Sequence, residues 1–309
     1  MSSPRRRGSG SNPAARKVSD SREVKLQSAG AVVGNRTLPK PAIGRFFPLM
    51  FLNRYINHGK SMPDDLAFLI FSSGSTGIPR GIMLSHHNII SNVEGIDQVF
   101  NLTKEDRLMG VLPFFHSFGV TATIWFPLIT GFGVVYHTNP MDARTIGEMV
   151  SKYKATILIS TPVFCTAYIR KCTREEFSSL RYAVVGAEKL QGSIAHEFRE
   201  KFGLELLEGY GCTEMGPVVS VNTPDIVHGN IRQKGNKPGT AGHPIPGVAV
   251  KVVDVDTGEE LPCGEEGMLL VKGPGQMLGY LGYAQRGTNV HENNPPIPPF
   301  SKGEIRFPP

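Results

Sequence analysis

Between Arg107 and Glu208 the chain alternates short apolar runs with longer amphipathic ones, and nothing else in the sequence constrains the fold as tightly. The pattern predicts strands at Arg107–Leu112, Val134–His137, Thr156–Ser160, Tyr182–Val185 and Glu205–Glu208. It predicts helices between them at Val120–Thr130, Thr145–Tyr153, Pro162–Lys171 and Gln191–Phe202. Strands that alternate with helices pair in parallel and leave helices on both faces, so the expected class is α/β with a mostly parallel sheet. Upstream, Leu66–Phe71 is a continuous apolar run that suits a fully buried strand. A helix over His87–Val99 follows, with Ser85 as its cap. After about Thr223 the texture changes to the short alternating segments Val248–Asp254 and Gly267–Lys272, with turns at Asp256-Thr257-Gly258 and Gly264-Glu265-Glu266. These predict a small antiparallel β subdomain after the α/β part.

The expected organisation is a disordered basic arm at 1–37, an α/β subdomain at 38–223, the β subdomain at 224–282 and a Pro-rich tail at 283–309. The apolar cluster Phe46–Leu52 is expected to pack as a short helix. The net charge of +6 comes from the arm: residues 1–40 hold nine Lys/Arg against Asp20 and Glu23, which leaves −1 for the other 269 residues. That distribution speaks against a nucleic-acid partner, which would need a basic face on the folded part. The uncharged segment Gly119–Tyr136 has the length of a membrane span. Pro127, Gly131 and Gly133 divide it, and it is expected to be a buried helix–turn–strand instead. Cys165, Cys172, Cys212 and Cys263 have no metal or disulfide spacing, which fits reduced thiols in the cytoplasm.

The chemistry centres on Ser72-Ser73-Gly74-Ser75-Thr76-Gly77-Ile78-Pro79-Arg80-Gly81. Glycines at 74, 77 and 81 let the backbone turn tightly, its N–H groups make an anion cradle, and Arg80 adds a fixed charge suited to phosphate. The expected setting is strand–loop–helix. A Ser/Gly-rich hairpin or linker is the plainer alternative, although a linker would not follow directly on an apolar strand. His86-His87 looks like a metal pair, but adjacent side chains diverge on a helix.

This loop resembles the phosphate-loop signature of the adenylate-forming superfamily, which includes acyl-CoA synthetases, luciferases and peptide-synthetase adenylation domains. Three further blocks follow in that family's order: Leu112-Pro113-Phe114-Phe115-His116-Ser117-Phe118-Gly119, Val185-Gly186-Ala187-Glu188-Lys189-Leu190 and Glu208-Gly209-Tyr210-Gly211-Cys212-Thr213-Glu214. The resemblance covers roughly 64–282, and within the family the blocks are closest to the bifunctional 2-acylglycerophosphoethanolamine acyltransferase / acyl-[acyl-carrier-protein] synthetase group.

The resemblance implies that a fatty acid is activated with ATP as an acyl-adenylate and passed to a thiol of acyl carrier protein or CoA, with ATP/AMP and Mg²⁺ as cofactors. It implies that Ser72, Ser73, Gly74, Ser75, Thr76, Gly77 and Arg80 hold phosphates. Gly186, Ala187 and Glu188 flank the adenine, Gly209, Tyr210 and Gly211 form the second nucleotide motif with Tyr210 stacking on the base, and Thr213 donates to the α-phosphate. Glu214 holds Mg²⁺, and His116 contacts nucleotide and acyl carboxylate. Phe114, Phe115, Phe118, Trp125 and Phe126 suggest an apolar pocket, though core packing explains them equally. No transmembrane segment is expected, but that group's fusion to a membrane domain implies association with a membrane or a membrane protein. Two departures stand out: Arg80 replaces the family's usual Lys, and no Thr-Gly-Asp follows Gly279-Tyr280-Leu281. The family's small C-terminal domain with its catalytic Lys has no counterpart in the 27 residues after Gly282. The expectation is a chain with weakened activity, or a non-catalytic AMP-binding or interaction module.

Overall fold

The computed structural model describes residues 61–72, 79–229, 231–281 and 305–307. The expected basic arm, the cluster at 46–52 and loop residues Ser73, Gly74, Ser75, Thr76 and Gly77 lie outside them, as does the 283–309 tail apart from 305–307.

The first strands form a hairpin: β1 (Leu66–Ser72) pairs antiparallel with β2 (Arg80–Ser85). Helix α1 (His86–Phe100) starts only after β2. The expected phosphate-binding segment therefore lies between two paired strands, and the expected helix directly after it is corrected. Nor is β1 fully buried. Ile70 is its one buried residue, and Leu66 and Phe71 are exposed, because β1 is the edge strand of a three-stranded sheet. An apolar run alone does not distinguish an edge strand from a central one.

Ser85 caps α1 through a reciprocal pair: its Oγ accepts from the Asn88 N–H, and Asn88 Oδ1 accepts from the Ser85 N–H. Strand β3 (Arg107–Gly110) follows, then α2 (Ser117–Val120), which continues through a π turn, Thr121–Trp125, into α3 (Phe126–Thr130). Gly131 ends the helix in the left-handed region, φ 86°, and β4 (Gly133–Tyr136) follows. This is the helix–turn–strand order expected of the uncharged segment, but it is not wholly buried, since Leu128, Ile129 and Tyr136 are exposed; no helix among the described residues is long and apolar enough to cross a membrane. The pattern continues with α4 (Ala143–Tyr153), β5 (Ile157–Ser160), α5 (Pro162–Lys171), β6 (Tyr182–Val185), α6 (Gly192–Phe202) and β7 (Leu206–Gly211). After β7 come β8 (Val218–Val221), β9 (Ile226–His228), β10 (Ile231–Gln233), β11 (His243–Pro244), β12 (Ala249–Val253), β13 (Met268–Lys272), β14 (Gly279–Tyr280) and β15 (Ile305–Phe307).

The main sheet runs β11-β8-β7-β6-β5-β3-β4. Its strands from β4 to β7 are parallel, and β8 and β11 extend it antiparallel. Alternate strand residues serve two cores, as a side-chain period of two requires. Met109, Leu158, Ala183, Val185 and Leu206 pack under α4, α5 and α6. Leu108, Ile157, Ile159, Leu207 and Val221 pack under α1 and α3. Chain order reverses between β3 and β5, and in open α/β sheets ligands bind beyond the carboxyl ends of strands at such a switch point.

Residues 224–282 interleave with the earlier elements. The β12–β13 pair is antiparallel as expected, but β11 joins the main sheet and β14 joins β2. In the tail, β15 pairs antiparallel with β13, a strand the sequence did not signal because Ile305-Arg306-Phe307 is too short to show a period.

Candidate active site

Beyond the carboxyl ends of β6 and β7 a cavity of about 200 Å³ opens. Its mouth is polar, lined by His116, Ser117, Gly186, Ala187, Tyr210 and Thr213. From there it runs back along β6 to Tyr182, between the sheet and α1, over the apolar side chains of Ile96, Phe100, Ile157, Ile159 and Val184. The Phe100 and Tyr182 rings meet edge-on at 5.4 Å between centroids, toward the amino end of the strands. One cavity thus joins a hydrogen-bonding entrance to an apolar interior.

Tyr210 at the end of β7 and Thr213 in the turn after it face His116 and Ser117 from the start of α2. Gly209 and Gly211 line the cavity, and Gly211 is also fixed by the fold, since a Cβ there would stand 2.2 Å from the Pro217 carbonyl oxygen where β7 doubles back into β8. Thr213–Met215 forms a single 3₁₀ turn. The Thr213 hydroxyl lies 2.9 Å from that of the buried Ser117 at the start of α2. Behind this turn, Asn92 of α1 donates to the Met215 and Val218 carbonyls and accepts from the Val218 N–H. Burial, with the negative Glu214 nearby, pushes the Tyr210 phenol up to about 12, so it enters the site as a neutral donor.

His116 caps α2, its Nδ1 accepting the Phe118 N–H at 3.2 Å. That bond places the imidazole proton on Nε2. The residue is exposed at the mouth, but partial shielding of the ring from water lowers its pKa below the ordinary 6.5. It is therefore a neutral donor at neutral pH. Ala187 sits in the left-handed region at φ 68°, which costs an alanine about 1 kcal/mol and is the kind of strain found at functional turns. Glu208 holds this turn by accepting the Leu190 N–H at 2.9 Å.

Of the expected site residues, His116, Gly186, Ala187, Gly209, Tyr210, Gly211 and Thr213 all line the one cavity. Glu188 is exposed and outside its lining. Glu214 lies beside the cavity, its carboxylate accepting from the Tyr280 hydroxyl at 3.0 Å. Ser72 and Arg80 are register partners at the base of the hairpin, and Arg80 stacks on Tyr280 at 5.3 Å. Only Phe118 and Phe126 of the expected apolar-pocket residues line the cavity. Phe114 and Phe115 are exposed, and Trp125 packs edge-on against Phe68. The expectation missed Ser117, Asn92, Tyr182 and Tyr280. Ser117 sat within the quoted Phe-His-Ser-Phe-Gly block and Tyr280 within Gly279-Tyr280-Leu281, neither with a role; Asn92 and Tyr182 had no local signal.

The pattern of the AMP-binding enzyme family matches residues 12–281. The chain belongs to that family. As an AMP-binding enzyme it is 34% identical over 246 residues to the probable 4-coumarate–CoA ligase 1 of Dictyostelium discoideum, covering 75% of this chain and 43% of that protein. It is 33% identical over 224 residues to a long-chain-fatty-acid–CoA ligase of Escherichia coli, covering 71% of this chain and 38% of that protein. Its fold is similar to that of ATP-bound MatB from Rhodopseudomonas palustris, with a TM-score of 0.64 and 31% identity over 72% of this chain and 42% of that one. The chain spans about two fifths of the length of the curated relatives it matches.

Proposed function

We propose that this AMP-binding enzyme takes part in ATP-dependent activation of a fatty acid as an acyl-adenylate, for transfer to the thiol of CoA or acyl carrier protein. One observation carries the reading: a single cavity is lined both by the residues that the resemblance gives to the nucleotide and by the apolar side chains of Ile96, Phe100, Phe126, Ile157, Ile159 and Val184. In this reaction a carboxylate oxygen attacks the α-phosphorus, the bond to the bridging oxygen breaks and pyrophosphate leaves. The thiol sulfur then attacks the acyl carbon, AMP leaves and the thiol gives up its proton. The protein's contribution is position and charge stabilisation more than covalent help.

The roles are those the resemblance implies, and the residues' common cavity supports them. Gly186 and Ala187 give the base a close backbone approach, and Tyr210 stacks on it. Thr213, oriented by Ser117, donates to the α-phosphate. His116 offers its Nε2–H to the acyl carboxylate or its adenylate. Ser72 and Arg80 bring the hairpin loop, with Ser73, Gly74, Ser75, Thr76 and Gly77, to the outer phosphates. Mg²⁺ fits in a restricted way: no group of three His, Cys, Asp or Glu able to hold a metal occurs among the described residues, so Glu214 would hold it together with phosphate oxygens. When bound it would neutralise charge on the leaving pyrophosphate.

Calorimetric titration with AMP and with a non-hydrolysable fatty-acyl-adenylate analogue tests this. Both are expected to bind, the acyl form more tightly because it also fills the apolar interior. Binding of neither would overturn the reading.

A further inference from the structure

Arg80 and Glu214 are 134 positions apart in sequence and carry opposite charges, yet among the described residues they form no ion pair with each other. Tyr280 stands between them. Its hydroxyl donates to Glu214 Oε1 at 3.0 Å, and the Arg80 guanidinium lies 5.3 Å from its ring centroid. The backbone fixes this arrangement from both sides. Tyr280 pairs with Ile82 of β2, and the Leu281 N–H donates to the Gly81 carbonyl at 2.7 Å, one residue from Arg80. The Met277 N–H donates to the Glu214 carbonyl at 2.8 Å. Residues 277–281 therefore strap the 3₁₀ turn of Glu214 to the base of the phosphate hairpin.

We propose that Tyr280 is a positioning residue, a spacer that keeps the Arg80 cation from collapsing onto the Glu214 carboxylate, so that Arg80 stays available to a phosphate. The inference rests on reading the hairpin as the phosphate site. Opposite charges that meet in a partly buried setting attract strongly, and a guanidinium paired with a carboxylate fork to fork has fewer donors left for phosphate. The aromatic ring holds the guanidinium by its face, the phenol oxygen also interacts with it, and the remaining N–H groups are left for a phosphate. The hydroxyl occupies one carboxylate oxygen.

The test measures ATP binding in EDTA, without a divalent cation, with adenosine as the reference ligand because it has no phosphate. Tyr280→Phe keeps the ring and should bind ATP within about twofold of the parent. Tyr280→Ala removes the spacer and should lose about tenfold in ATP affinity, the scale of one charge-assisted hydrogen bond, with adenosine unchanged. Adding Glu214→Gln to Tyr280→Ala should recover most of that loss, because it removes the charge that captures Arg80. The inference is overturned if Tyr280→Phe falls as far as Tyr280→Ala, if Glu214→Gln does not restore the alanine variant, or if Tyr280→Ala binds ATP as the parent does. Should Tyr280→Ala lose adenosine binding as well, the phenylalanine variant alone and Tyr280→Leu with Glu214→Gln repeat the comparison. If the parent itself binds neither adenosine nor AMP, the nucleotide reading fails, an outcome separate from these.

Discussion

The hydroxyls of Ser117 and Thr213 meet at 2.9 Å, joining the first turn of α2 to the turn after β7 across the mouth of the cavity. The two residues are 96 positions apart, and Ser117 is buried while Thr213 is partly open to the cavity. On the proposed reading, in which Thr213 donates to a phosphate, Ser117 orients its hydroxyl. Ser117→Ala should weaken AMP binding by about 1 kcal/mol, roughly five- to tenfold, through loss of that orientation. Thr213→Ala should do at least as much. Because both act through one hydrogen bond, the double variant should be little worse than Thr213→Ala alone. Calorimetric titration of the four proteins gives the cycle, and strict additivity would show that the contact plays no part in binding.

A second contact of long sequence range governs stability. The buried Asp106 carboxylate accepts from Arg181 Nη1 at 2.7 and 2.9 Å, from Thr156 Oγ1 at 2.7 Å and from the Thr103 N–H at 2.9 Å. It ties the amino ends of β3, β5 and β6 together. Asp106→Ala should cost about 3 kcal/mol, since it strands several donors at once, and should lower the urea midpoint accordingly. Burial raises this carboxyl, but the hydrogen bonds from Thr156, Thr103 and Arg181, with the Arg181 charge, more than offset it, so its pKa ends below 3.8. Its contribution is therefore complete above the unfolded value of about 3.9 and is lost as pH falls through the lower folded value. The alanine variant should lose that part of the parent's acid destabilisation.

These two contacts show what the sequence could and could not convey. Helix α5 and strand β6 lie where the pattern put them, because their signals are local: Thr161 caps a Pro at the first turn of α5, and Gly186 ends β6. The residues that meet at the mouth were legible in the same way, as short blocks around His116, Gly186 and Thr213. The β1–β2 hairpin entered only as the plainer alternative, and the edge position of β1 was not legible, since an edge strand and a buried strand can share one apolar composition. Nor were Asn92, Asp106 or Tyr280, whose partners lie 123, 75 and 66 residues away. The apolar lining came from α1, β5 and β6 instead of Phe114 and Phe115, because exposed and buried aromatics look alike in one dimension.

His116 makes a prediction about pH. Its Nδ1 accepts the Phe118 N–H, and its pKa is lowered by desolvation, so the neutral ring persists below the ordinary 6.5. Protonation would turn that acceptor into a donor facing another donor. Affinity for an acyl-adenylate analogue should stay flat as pH falls from 8 through about 6.5, the unperturbed value, and drop only below it. His116→Gln should remove most of the low-pH drop. An inflection above 6.5 that His116→Gln abolishes would contradict the lowered value. The stability linkage has the same sign: the neutral ring's contribution is full above the unfolded pKa and is lost as pH falls through the folded one.

Asn92 supplies the sharpest test of how the α1 face supports the site. It is 2% exposed, and its amide satisfies three backbone groups of residues 215–218, two carbonyls and one N–H. Asn92→Ala leaves all three buried and unpaired, which should cost about 3 kcal/mol. Asn92→Asp is nearly isosteric and keeps the acceptor for the Val218 N–H, so shape alone would rank it as the milder change. Charge reverses that order, because the carboxylate faces the Met215 and Val218 carbonyls with no proton to give either. At neutral pH the aspartate variant should be less stable than the alanine variant. It should recover as pH falls through its raised carboxyl pKa, where the protonated acid can again donate one hydrogen bond. Urea unfolding at pH 7.5 and pH 5 separates the two effects. An aspartate variant that is the more stable at pH 7.5, or that gains nothing at pH 5, would mean that water reaches the turn and that Asn92 does not hold Thr213 in place.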